Sequence, residues 1–247
     1  MLDTNPEIGL ESAGTVNPVV FECNDGFLND IRGRHVRPEH VRQAIETASA
    51  DFAQGAVGAG RGMSCYHFKG GIGSASRSLD TPYGRYVLGV LAQTNFGSMQ
   101  DFRIGGEWTG EAAFELIRAE EAEERGSCIV LIATDAPMTS RQLRRLSLRA
   151  SVGLSRTGAY IGNGSGEIAL AFSTAQRIPR GAGELLELKA IPDDAINPFF
   201  MAAAEATEEA VLCSMLYAET VTGRAGNVRR SLASFAGRVP GVRARTA

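Results

Sequence analysis

The residues best placed to do chemistry are Gly126 and Ser127, followed by the run Cys-Ile-Val-Leu-Ile-Ala that ends at Thr134-Asp135. Six apolar residues between a Gly-Ser pair and a Thr-Asp pair make the pattern of a short buried strand. Just upstream, Glu120, Glu121, Glu123 and Glu124 form an acidic run that reads as a solvated, mobile linker. A serine where linker turns into core strand is reachable from solvent and rigidly held. If the Gly126–Ser127 peptide bond were broken, one residue would carry both a hydroxyl and a free α-amine. That is a nucleophile with its own base attached, since an α-amine of pKa about 7.7–8 is partly neutral near pH 7. On its residues alone, the same pair is also an ordinary turn at a strand start.

The elements that must position this serine can be read in outline. Tyr86–Thr94 is a near-continuous apolar strand expected to be buried on both faces, and it delivers Asn95-Phe96-Gly97 at its end. Asn95 there is either a group aimed into a site or a strand-end asparagine satisfying its own turn. Ser165 lies in Gly162-Asn-Gly-Ser-Gly166, between the strand-like runs 158–161 and 168–172, so a hairpin turn presenting Ser165 and Glu167 is expected. Pro38 opens a helix whose apolar face is Val41, Ala44, Ile45, Ala48 and Phe52. A hairpin is expected around Gly105-Gly106, a helix capped by Thr139 running to about Val152, and a long helix from Asn197-Pro198 to about Thr222 with Gly223 beyond it. The glycine-rich stretch 54–73 has no GxxxxGK[ST] pattern and follows a helix, so it is expected to pass under neighbouring elements or line a cleft rather than cradle a phosphate. Residues 1–18 and the arginine-rich 224–247 read as a loose lead-in and a flexible tail.

Composition narrows the classes. With 247 residues, 44% apolar and 21% charged, the chain can bury a sizeable core as one domain. A net charge of −3 and 7% aromatic content suit neither a nucleic-acid groove nor a stacking platform. No apolar run approaches the roughly 18 residues of a membrane span, and the first residues lack a leader pattern. Cys23, Cys65, Cys128 and Cys213 are widely spaced and read as reduced and buried, in keeping with a cytoplasmic location. Cys128 neighbours Ser127, but alternation along a strand points it to the opposite face. His35, His40 and His67 share no metal-ligand spacing and no triad signature, and neither a metal nor a cofactor is expected.

Several long motifs occur together and in order: Asp25-Gly-Phe-Leu-Asn-Asp-Ile31, Phe68-Lys-Gly-Gly-Ile-Gly-Ser-Ala-Ser-Arg77, Ser127-Cys-Ile-Val-Leu-Ile-Ala-Thr-Asp-Ala-Pro137, Arg149-Ala-Ser-Val-Gly-Leu-Ser-Arg-Thr-Gly158 and Gly162-Asn-Gly-Ser-Gly-Glu167. From about Glu22 to Gly223 the chain resembles the P1 family of self-processing aminopeptidases, which includes the L-aminopeptidase/D-amidase-esterases and the β-peptidyl aminopeptidases. The resemblance implies a four-layer α-β-β-α sandwich of the N-terminal-nucleophile kind, cut into 1–126 and 127–247. It implies Ser127 as nucleophile and Asn95, in a Gln-x-Asn-x-Gly setting, as oxyanion donor. Ser165 and Glu167 would be the pair supporting the amine, Glu22 the carboxylate receiving a substrate ammonium, and Asn24 a pocket residue.

The resemblance further implies a short peptide, amino acid amide or ester as substrate; on composition, neither nucleic acid nor membrane is expected as a partner. Family members carry a substantial segment ahead of the point where this chain starts. Either the start lies inside a longer frame or this is a shortened member, which would expose a sheet edge and apolar surface for which a homo-oligomer is the expected cover. Two rival readings are an acyltransferase of related architecture and an uncleaved, inactive homologue that acts by binding.

Overall fold

The structure, a computed structural model, describes residues 15–117, 126–178 and 185–243, with a few positions before residue 10. Its elements in chain order are α1 (Pro38–Glu46), β1 (Ser64–Cys65), β2 (Phe68–Lys69), β3 (Ile72–Thr81), β4 (Gly84–Asn95), α2 (Thr109–Ile117), β5 (Gly126–Thr134), α3 (Ser140–Ser147), α4 (Ala150–Arg156), β6 (Ser165–Ser173), α5 (Asn197–Leu216), β7 (Val221–Thr222) and β8 (Val228–Arg229). The acidic run 120–124 lies outside the described residues.

One four-stranded sheet, ordered β3-β4-β5-β6, carries the site. β3, β4 and β5 pair antiparallel, with Asn95 opposite Ser127. β5 and β6 run parallel, with Ser127 opposite Gly166. A parallel neighbour needs a crossover, and α3 and α4 provide it. Ser165 therefore opens a strand that returns alongside β5, not the hairpin expected from its glycines, and residues 158–161 form no strand.

The core lies between this sheet and α5. Leu88, Val90 and Ala92 of β4 and Cys128, Val130 and Ile132 of β5 meet Phe199, Ala203, Ala206 and Ala210 of the helix. Alanine suits this layer because the helix runs very close to the sheet: a Cβ on Gly73 of β3 would sit 1.8 Å from the Ala210 carbonyl oxygen. Glycine in the 54–73 stretch thus serves close packing, as expected. Thr94 and Ser214, both fully buried, satisfy each other across the same interface at 2.7 Å.

One helix layer on one sheet is what the described residues build, two layers of the expected four. The opposite sheet face bears Val87, Ile168, Leu170 and Phe172, each 42–53% exposed. β4 is accordingly covered on one face over most of its length, not on both. Only near Ser127 is the second face closed, where Cys23 and Met63 pack on Ile129. Helix α1 forms where Pro38 predicts, yet it buries none of its residues, so its apolar face has no partner among the described residues.

Other boundaries differ for local reasons. Thr139 caps α3 in a box with Gln142, but the chain breaks at Leu148-Arg149 and restarts as α4. The Gly105-Gly106 region closes only a single bridge, Ile104 to Glu107, before α2 begins. α5 ends at Leu216, and β7 occupies the last two of the residues expected to extend it. The stretch after Gly223, read as a flexible tail, is docked through 243: Leu232, Phe235, Val239 and Val242 are buried, which a count of its arginines obscures.

Candidate active site

A cavity of about 650 Å³ opens at the end of β4 and the start of β5. Asn24, Asn95, Gly126 and Ser127 line it together with Phe27, Ser64, His67, Arg224 and Arg229. Four residues singled out in the sequence therefore converge at one place. Ser127 and Asn95 are cross-strand partners and share the sheet face turned toward the cavity. Cys128 faces the other way, is fully buried, and its thiol is held well above its ordinary range by burial.

Asn95 is clamped in one orientation. Its Oδ1 accepts from the Ser64 backbone N–H at 2.9 Å, and its Nδ2 donates to the Asn24 carbonyl oxygen at 3.0 Å. An amide nitrogen carries two hydrogens, so one remains to donate into the cavity. Sequence left open whether this asparagine merely satisfies its own turn; both partners lie far away in the chain.

Gly126 is required by contact as well as by conformation. Its φ is +148°, and a Cβ there would lie 1.9 Å from the Asn95 carbonyl oxygen. The backbone before Ser127 is thus pressed against the strand that carries the amide donor.

Ser165 and Glu167 lie on β6 next to β5, with Ser165 opposite Gly126 and Glu167 opposite Cys128. The Ser165 hydroxyl donates to Glu167 Oε1. Glu167 Oε2 is buried and has no hydrogen-bond partner among the described residues. Alternation puts both side chains on the helix-facing side with Ala169 and Ala171, across the sheet from the Ser127 hydroxyl. The pair therefore adjoins the Gly126–Ser127 peptide and not the hydroxyl. Glu22 is exposed and does not line the cavity, although Cys23 beside it donates its thiol toward the Ser127 carbonyl oxygen at 3.6 Å.

The remaining wall comes from residues the sequence did not flag. β1 and β2 are joined by the two-residue turn Tyr66-His67, with φ of +49° and +63°. Two left-handed residues make the turn type that fits strand twist, usually built with Asn-Gly. Here packing replaces glycine: Tyr66 is fully buried, meets Phe96 edge-on and Phe102 at a tilt, and its hydroxyl meets Thr157 Oγ1 at 2.9 Å. The turn aims His67 into the cavity, where burial and the nearby Arg229 lower its pKa. His67 and Ser127 share no hydrogen bond among the described residues. Lys69, one residue past β2's start and fully buried, donates to the carbonyls of Gly60, Met63 and Gly70 at 2.7–2.8 Å. Desolvation, then Arg61, lowers its pKa to about 7. This lysine fixes the loop whose next residue, Ser64, orients Asn95. Among the described residues no group of three or more His, Cys, Asp or Glu side chains could hold a metal ion.

A strand-initial serine, an oriented amide across the sheet and a half-buried carboxylate beside the preceding peptide meet at one end of the sheet. Residues 1–229 match the model for peptidase family S58, and the chain belongs to that family. Over 224 residues it is 43% identical to the β-peptidyl aminopeptidase BapA of Sphingosinicella microcystinivorans, covering 83% of this chain and 56% of the relative. The solved PH0078 protein of Pyrococcus horikoshii OT3 superposes with a TM-score of 0.86 at 52% identity, over 94% of this chain and 63% of that one. The L-aminopeptidase D-Ala-esterase/amidase of Ochrobactrum anthropi, described as a new variant of the Ntn hydrolase fold, superposes at 0.77 with 35% identity, over 84% and 58%. The fold is thus that of the Ntn hydrolases. The chain spans a little over half the length of the curated relatives at the top of the comparison.

Proposed function

We propose that this chain carries the acyl-transfer site of a self-processing serine aminopeptidase. The observation that carries the reading is the Asn95–Ser127 pair, which places a fixed amide donor and a hydroxyl side by side at the cavity, directly after a peptide that only glycine can occupy. In the first reaction Ser127 Oγ attacks the Gly126 carbonyl carbon. The C–N bond breaks, an ester forms, and the former peptide nitrogen leaves as the α-amine of Ser127. Water then cleaves the ester, giving a carboxylate at Gly126. Glu167 Oε2, buried and without a hydrogen-bond partner among the described residues, is a ready acceptor for the new ammonium, because an unpaired carboxylate oxygen in that setting is costly.

In turnover the neutral α-amine takes the proton from Ser127 Oγ as the oxygen attacks the substrate carbonyl. Asn95 Nδ2 donates to the oxyanion, a contribution of about 2.7–4 kcal/mol for one such donor. The leaving amine takes the proton, and water regenerates the serine. Glu22, exposed two residues before the cavity-lining Asn24, receives the substrate ammonium once the substrate is bound, and Asn24 borders the acyl side chain. Substrates are short peptides, amides or esters with a free amine. One relative is named for β-peptidyl groups and another for L-aminopeptidase and D-Ala-esterase/amidase action, and the polar Asn24 favours neither.

Intact-mass analysis of the purified protein tests this. Two masses meeting at Gly126 and Ser127, replaced by a single mass in Ser127→Ala, are expected together with amide hydrolysis by the parent alone. A single uncut chain without hydrolysis would sink the reading, as would continued cleavage in Ser127→Ala.

A further inference from the structure

The charges on the cavity wall are unbalanced. Of its lining residues, Arg224, Arg229 and His67 are basic and none is a carboxylate. Arg229 is held from several sides. Its Nε donates to Ser64 Oγ at 3.0 Å, and its guanidinium lies 3.6 Å over the Phe27 ring. Phe27 is fixed in turn, because Asn227 Nδ2 donates to its carbonyl oxygen at 2.8 Å. The β7–β8 hairpin is locked to the same loop: the Arg224 N–H donates to the Leu28 carbonyl oxygen at 2.8 Å, and a Cβ on Gly223 would lie 2.2 Å from that oxygen. Arg229 therefore presents its remaining N–H groups from a built wall. Burial lowers its pKa to about 10, which leaves it charged at neutral pH, and it forms no ion pair among the described residues.

A partly desolvated guanidinium with no anion facing it, in the cavity of the nucleophile, calls for an anionic group on the substrate. The orientation follows from charge. A substrate ammonium is repelled by this wall, so the acyl residue carrying the amine lies away from it. The residue that leaves lies toward it. We infer that Arg229, with Arg224 beside it, forms a subsite for the free C-terminal carboxylate of a peptide's leaving residue. The subsite rests on the aminopeptidase reading and sharpens it: the preferred substrates are zwitterionic short peptides, ahead of the corresponding amides.

The test compares one dipeptide as its free carboxylate and as its C-terminal amide, in the parent and in Arg229→Gln. The parent should favour the carboxylate by about ten- to hundred-fold in kcat/KM, the scale of one charge-assisted hydrogen bond, with most of the difference in KM. In Arg229→Gln that ratio should fall toward one. An unchanged ratio overturns the subsite. A third substrate, with an acidic side chain in the leaving residue and an amidated end, should gain little; a gain equal to that of the free C-terminus overturns the assignment to the terminal carboxylate. If no substrate is turned over, the aminopeptidase reading fails, and calorimetry with a reduced-bond dipeptide analogue still reads the subsite. The carboxylate form should then bind the parent about tenfold or more tighter than Arg229→Gln, and equal binding overturns it.

Discussion

Replacing Gly126 by alanine is the sharpest probe of the strand junction. The new Cβ would lie 1.9 Å from the Asn95 carbonyl oxygen and 3.0 Å from the Phe96 Cα, where ordinary contact begins at 3.4 Å. Both obstacles are backbone, so no side chain can swing aside. Relief requires β4 and β5 to part by about 1.5 Å at their ends, the difference between 3.4 and 1.9 Å. Overpacking of this kind costs about 1–3 kcal/mol in stability. The larger effect falls on chemistry, because Asn95 and Ser127 sit on the two strands that separate. Displacement of reacting groups by about 1 Å can lower a rate by roughly 10²-fold. Gly126→Ala should therefore mature at least about 10²-fold more slowly, followed as cut fraction against time by denaturing electrophoresis, with urea unfolding measured in parallel. Gly166→Ala is the matched control, since its Cβ would meet only the Ser127 Cβ, at 3.9 Å. Parental maturation and stability in Gly126→Ala would refute the close approach on which the junction depends.

Other perturbations have equally definite outcomes. Asn95→Ala should reduce kcat by about 10²–10³ with a smaller effect on KM, measured on a chromogenic amide. Lys69→Met removes a donor from three carbonyls, of which Gly60 and Met63 keep bonds from the Met63 and Gly70 N–H groups and Gly70 alone is orphaned, so the urea midpoint should fall by the equivalent of about 1–3 kcal/mol; a loss well below about 1 kcal/mol would mean that the Gly70 carbonyl finds another partner. Stability should rise from pH 7 to about 8.5, because a lysine lowered to about 7 in the fold binds fewer protons there than in the unfolded chain. Above about pH 9 the trend should reverse, as Cys65, held near 12, and Cys128 keep protons that the unfolded thiols release. A urea midpoint that is flat or falling between pH 7 and 8.5 contradicts the Lys69 environment. Phe199→Ala, which empties a fully buried ring site between α5 and β4, should cost about 3–5 kcal/mol.

What the sequence disclosed follows the range of the forces involved. The β5 strand and its terminal serine are visible because apolar runs and glycine act locally, and Thr139 announces its helix through a cap formed within one turn. The partnership of Asn95 with Ser127 needs strand register, and register is set by distant pairing that periodicity does not report. Ser165 misled because glycines flanking a serine suggest a hairpin equally well whether the following strand turns back or arrives by crossover. The Tyr66-His67 turn gave no signal: its left-handed backbone is imposed by the burial of Tyr66, not by residue preference. Arg229 looked like part of a solvated basic end, because nothing in sequence ties residue 229 to Phe27 and Ser64. Apolar residues at Val41 and Ile45 correctly marked a helix face, but periodicity cannot say whether anything packs on it.

Burial of Lys69 has a practical consequence for labelling. The chain has two lysines, Lys69 and Lys189. One is sealed beneath backbone carbonyls and the other stands exposed. Under native conditions an amine-directed reagent thus meets Lys189 and the chain's own first amine, and a cut before Ser127 would add one further primary amine. That amine adjoins a hydroxyl-bearing carbon, a vicinal amino alcohol that periodate converts to an aldehyde while leaving lysine untouched. A hydrazide dye applied after periodate would then tag the new terminus alone, so the cut chains could be counted in a folded sample without substrate or turnover.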